Sequence, residues 1–143
     1  MDIVNIATQC INALREHVGN AKFLESFAGK ARRFHTEVYY LGPHFVLATA
    51  ASRSSALFAL EGLRGSNCSA VVSSIAGRLG PSEEEAGYGL YAAVFAYGAA
   101  KLLGLRVSSL EDAVRALGEN RAGWRLLYRY AQWLKMLAEA YFK

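Results

Sequence analysis

The sequence has little of what sheets, metal sites and catalytic centres are usually built from. Among 143 residues there are two prolines, two cysteines and three histidines. Strand signals are nearly absent. Runs such as Ala70-Val71-Val72 are too short and too isolated to pair into a sheet. His17, His35 and His44 are dispersed, and no Cys-x-x-Cys or His-Glu-x-x-His spacing occurs, so no metal site is expected. Nucleophile elbows and phosphate-binding glycine loops are missing too. Gly87-Tyr88-Gly89 lies inside a helical pattern, not after a strand, which removes its phosphate-binding logic. His35 and His44 flank the break at Gly42-Pro43, but no nucleophile or orienting carboxylate is fixed beside either in sequence. No catalytic residue and no cofactor are therefore assigned. Cys10 and Cys68 sit in apolar or small-residue settings without a partner at metal-ligand spacing, and are expected to be reduced.

What remains is helical. A hydrophobic fraction of 53% in a chain of this length supports one buried core, so residues 1–143 are read as a single all-α domain, a compact bundle of about six or seven helices. The first helix is expected over 2–18, capped by Asp2, and the second over 21–40, with Phe23, Leu24, Phe27, Ala31, Phe34, Val38 and Leu41 inward. A third starts at Pro43 and is expected to bend at Ser52-Arg53-Ser54-Ser55. A short helix is expected over 69–79. Ser82 with Glu85 reads as a capping box, and Glu83, Glu84 and Glu85 suit the positive end of the helix that runs to Leu103. That helix is almost wholly apolar and carries Gly87, Gly89 and Gly98. It is expected at the centre, packed on the C-terminal helix. Ser108 with Glu111 suggests a second capping box before 110–117, and Asn120 a cap for a last helix over 120–142.

That last helix has two sides. Trp124, Leu127, Ala131, Leu134, Ala138 and Tyr141 recur at spacings of three and four, whereas Arg121, Arg125 and Arg129 form a row continued by Gln132. Tyr130 and Trp133 lie off both rows and suggest a second contact surface. The formal net charge is +4, a modest excess, and the 16 basic residues are mostly arginine, the better residue for bidentate phosphate contacts. Lys30, Arg32 and Arg33 crowd one turn of the second helix, Arg53 lies on the third, and Arg121, Arg125 and Arg129 line the last. Spaced cations on helices are what a phosphate backbone requires to displace its counterions. The chain begins without a basic region before an apolar stretch, and 86–100 is shorter than a bilayer span. The expected location is the cytoplasm, away from membranes.

The run Tyr130-Ala131-Gln132-Trp133-Leu134-Lys135-Met136-Leu137-Ala138-Glu139-Ala140 resembles the C-terminal signature of the small subunit of type III-B CRISPR effector (Cmr) complexes, in which an aromatic-Arg pair precedes Trp-Leu-Lys and then Ala-Glu-Ala. Trp124-Arg125 or Tyr128-Arg129 would supply the pair. Phe34, Val38, Leu41, Pro43 and Val46 are similar to a second family segment. The resemblance implies a helical, non-catalytic subunit that packs along a ribonucleoprotein backbone and meets guide and target RNA, neighbouring copies of itself and other effector-complex subunits. Small subunits of type III-A and type I-A complexes are similar in size, helicity and role. On this basis Lys30, Arg32, Arg33, Arg53, Arg121, Arg125 and Arg129 are expected to bind RNA phosphates, and Tyr130, Trp133 and Tyr141 to meet neighbouring subunits. A helical adaptor whose basic face meets an acidic protein is the alternative.

Overall fold

The computed structural model describes residues 2–142. Among these there are eight α-helices, one short 3-10 turn and no strand. In chain order they are α1 (Ile3–His17), α2 (Ala21–Leu41), α3 (Pro43–Ser52), α4 (Ala56–Arg64), α5 (Cys68–Ala76), α6 (Glu83–Leu103), α7 (Leu110–Glu119), the 3-10 turn Arg121–Gly123 and α8 (Trp124–Tyr141).

α6 is the axis of the bundle. Every residue from Ala86 to Ala99 is buried, so this helix has no solvent face along its middle. A helix apolar all round is stable in water only inside a shell of others. The shell here is chiefly α4 and α2, while α8 lies mainly on α2 and α1. The expected contact of α6 with the C-terminal helix is present, as a small part of that shell. The two meet at Gly98, where an added Cβ would fall 2.1 Å from the Tyr130 ring. Gly89 makes the same allowance for Phe58 of α4, at 2.7 Å. Small residues on α6 thus set how closely its neighbours approach, which outweighs their helix cost of about 1 kcal/mol each. The Ser82 hydroxyl accepts from the Glu85 amide at 3.2 Å, and three glutamates occupy the first turn, as the capping pattern predicts.

Several expectations are revised. The bend at Ser52–Ser55 is a complete break: Ser54 donates its hydroxyl to the Ala50 carbonyl at 2.8 Å, and Ser55 caps a new helix, α4. α7 is capped by Ser109, not Ser108, with the Ser109 hydroxyl accepting from the Asp112 amide. Asn120 caps the 3-10 turn, so α8 starts four residues later than expected and Arg121 lies outside it. Leu41 is 47% exposed and does not point inward.

Cys10 and Cys68 are joined in a disulfide, which overturns the expectation of reduced thiols. Both are fully buried, and their Cα atoms lie 5.1 Å apart where α1 packs on α5. Residues 58 apart in sequence meet only because of that packing.

Candidate nucleic-acid interface

The cations fall into two groups of different electrostatic character. The first surrounds Tyr88 of α6. Lys30 of α2 lies 4.3 Å from the Tyr88 ring centroid, Arg33 5.9 Å and Arg53 5.6 Å. Arg33 also donates to the Tyr88 hydroxyl at 2.6 Å. Two carboxylates are built into this group: Glu84 pairs with Lys30, and Glu37 accepts from the Arg33 guanidinium at 2.6 Å. The hydrogen bond from Lys30 holds the Glu84 carboxyl below its ordinary range, and the bond to Glu37 raises Arg33 further. Lys30 and Arg33 are thus largely committed within the chain. Arg53 lies over the ring and also acts on the Glu84 charge, and Arg32 is exposed without an ion pair among the described residues.

The second group lies where α7, the 3-10 turn and α8 meet α2 and α3. Gly42 joins α2 to α3 at φ 92°, a left-handed conformation that favours glycine, and a Cβ there would fall 2.7 Å from both His44 and Trp124. That clearance lets the His44 ring lie 5.2 Å from the Trp124 ring. Trp124 donates its indole N–H to the Leu117 carbonyl at 2.8 Å, anchoring α8 to α7. The Arg121 guanidinium sits 4.3 Å from the centroid of the same Trp124 ring.

A second aromatic series runs beside this one. His35 stacks on Tyr128 at 5.0 Å, Tyr128 meets Tyr39 at 5.4 Å, and Tyr39 meets Tyr40 edge-on at 4.9 Å. Burial, aided by the nearby Lys135 charge, lowers the His35 pKa, so the ring in this stack is neutral at physiological pH. Between Trp124 and the tyrosines is an apolar hollow of about 340 Å³, lined by Val38, Tyr39, Trp124, Arg125 and Tyr128. A more open hollow of about 530 Å³ adjoins it, bounded by Leu102, Leu103, Asn120, Arg125 and Arg129. Arg125 borders both.

Arg125 and Arg129 are one turn apart on the exposed side of α8, and neither forms an ion pair among the described residues. Arg121 extends this group from the 3-10 turn and not, as expected, from the helix row.

The expected subunit-contact residues separate. Tyr130 is fully buried, so its expected place at a subunit interface is corrected: it donates its hydroxyl to the Val94 carbonyl of α6 at 2.7 Å. Burial also raises its pKa far above the usual phenol range, which keeps that donor protonated. Trp133 is half-buried against the core. Tyr141 is 53% exposed, with the Arg15 guanidinium 4.1 Å from its ring centroid.

Tyr39, Tyr40 and Tyr128 were not among the expected site residues. Their signal is the pair Tyr39-Tyr40 beside inward-facing Val38: adjacent helical residues point about 100° apart, so at least one large ring must leave the core. Among the described residues no group of three or more His, Cys, Asp or Glu side chains could hold a metal ion. No helix in that range is long and apolar enough to cross a membrane. In comparisons with known proteins, no family model, no curated protein and no solved structure matches the chain.

Proposed function

We propose that this chain is a non-enzymatic, RNA-binding structural subunit, the small subunit of a type III-B CRISPR effector complex, which contacts guide and target RNA through phosphates without reading their sequence. The observation that carries the phosphate contact is the arginine pair Arg125 and Arg129, exposed on one face of α8 and without a carboxylate partner among the described residues. A guanidinium already paired gains little from a phosphate, whereas an unpaired one releases a counterion from the nucleic acid on binding. The CRISPR assignment rests on the similarity of the segment from Tyr130 to Ala140, on the same helix. In this reading the partners are guide and target RNA, other subunits and neighbouring copies of the same chain, the location is the cytoplasm, and no cofactor takes part.

The second group contributes most, because Lys30 and Arg33 are held by Glu84 and Glu37. Arg32 and Arg53, from the first group, are accessory contacts. Tyr141 and half-buried Trp133 serve the contact with a neighbouring subunit.

The test is Arg125→Ala with Arg129→Ala, measured by RNA affinity across a salt series. Loss of two phosphate contacts lowers affinity and reduces the slope of log K against log salt by roughly 1.4 for single strands or 1.8 for a duplex. An unchanged slope and affinity would remove these residues from the interface. The alternative is an adaptor whose basic face meets an acidic protein, with the exposed Leu41 and Phe45 as apolar contacts. Binding that survives RNase treatment would select it.

A further inference from the structure

We infer that the hollow between Trp124 and the Tyr128–Tyr39 series takes an unpaired nucleobase, so that this face holds single-stranded RNA in preference to duplex. The inference rests on the RNA-binding reading above and adds the state of the strand. Phosphate contacts alone do not require it, since cations spaced along a helix serve a duplex equally well.

Three observations point to a base. The first is the lining: among the residues bordering the hollow, aromatic rings from two helices, Tyr39 of α2 with Trp124 and Tyr128 of α8, meet one aliphatic side chain, Val38. Of these, Tyr39 is the exposed ring, and an open ring face binds bases largely irrespective of sequence. The second is size. About 340 Å³ lies at the lower end of the roughly 300–1,000 Å³ usual for small-ligand pockets, which suits one ring system and is too little for a docked helix.

The third is charge. Arg125 borders this hollow and also the adjoining one that reaches Arg129, while Arg121 lies over the Trp124 ring. No Asp or Glu lines either hollow. An aromatic slot rimmed by arginines without carboxylates is complementary to a base still attached to its phosphates. Arg32 precedes His35 by three residues and Tyr39 by seven, which puts it on the same row of α2 and prolongs the cationic edge along the strand.

Tyr39 is 64% exposed and Tyr40 74% exposed, so both can be replaced without opening the core. The experiment uses the full chain with two RNAs of equal length, one single-stranded and carrying a single 2-aminopurine, the other a duplex. Affinity is read by anisotropy and stacking by 2-aminopurine emission. The wild type is expected to bind the single strand more tightly and to quench the probe. Tyr39→Ala with Tyr40→Ala should weaken single-strand binding about tenfold or more and abolish quenching, leaving duplex affinity unchanged, whereas Tyr39→Phe should retain both signals.

Salt-sensitive binding of equal strength to both RNAs, unquenched and indifferent to the tyrosine variants, would overturn the inference while leaving the phosphate contacts intact. Binding to neither RNA would overturn it together with the reading it rests on.

Discussion

Gly98 and Tyr130 form one of the closest contacts in the bundle, and the pair shows how much one hydrogen atom decides. A Cβ on residue 98 would lie 2.1 Å from a ring that is fully buried and tied by its hydroxyl to the Val94 carbonyl. The ring cannot swing into solvent, so α8 must shift or the hydroxyl must give up its acceptor. Gly98→Ala is therefore expected to destabilise the fold by about 1–3 kcal/mol, despite alanine's higher helix propensity. Urea unfolding checks it, and a neutral or stabilising result would mean that α8 does not bear on α6 here. The sequence marks both residues as unusual, a glycine within an apolar helix and an aromatic off the main stripe. It does not say that they touch. Tyr130 looks like an outer residue because helical periodicity reports a face relative to one neighbour, and α8 is covered by α2 and α1 as well as touching α6.

At the scale of elements, helix existence is legible and helix junctions are less so. The 3.6-residue periodicity, the Ser82 cap and Gly104 recover α1, α2 and α6 nearly to the residue, because these signals are local. The start of α8 is not recovered. Asn120 is a cap, as its residue type suggests, but Gly123 lies against Leu103, and three residues take a 3-10 turn before the α-helix begins. The position of Trp124 is set by that turn. Its indole bonds the Leu117 carbonyl, and its ring meets His44 and the Arg121 guanidinium. The aromatic hollow was illegible for the same reason, since its walls come from helices eighty residues apart in sequence, roughly the span from Tyr39 to Trp124. Trp124→Phe is expected to keep the ring contacts, lose the hydrogen bond and cost about 1 kcal/mol. Amide exchange should rise in α7 and leave α6 unchanged. Equal acceleration in both helices would mean that the indole does not join α7 to α8 in particular.

The whole molecule is closed by the Cys10–Cys68 bond, which ties α1 to α5. Spacing rules look for cysteines close in sequence, and so could not pair two residues separated by 58. A cross-link of that length removes a large share of the unfolded chain's freedom, about 4 kcal/mol in the chain-entropy account. Disulfides are rare in the cytosol of mesophiles but common inside hyperthermophiles. The bond is thus compatible with the proposed cytoplasmic location in a hyperthermophile, and otherwise points to an oxidising compartment. Replacing both cysteines by alanine should lower the melting temperature by roughly 5–15 °C while leaving RNA affinity at moderate temperature unchanged, since neither sulfur borders the arginine and tyrosine hollows. Because both residues are fully buried, reductant alone should act slowly on the native protein and rapidly once denaturant is added. The decisive control is lysis of the source cells directly into denaturant containing an alkylating agent, with the thiols alkylated on Cys10 and Cys68 counted by mass. No free thiol would establish the bond in its native compartment. Two free thiols would return the cysteines to the reduced state, and the stability of the bundle would then rest on the packing around α6 without a covalent tie.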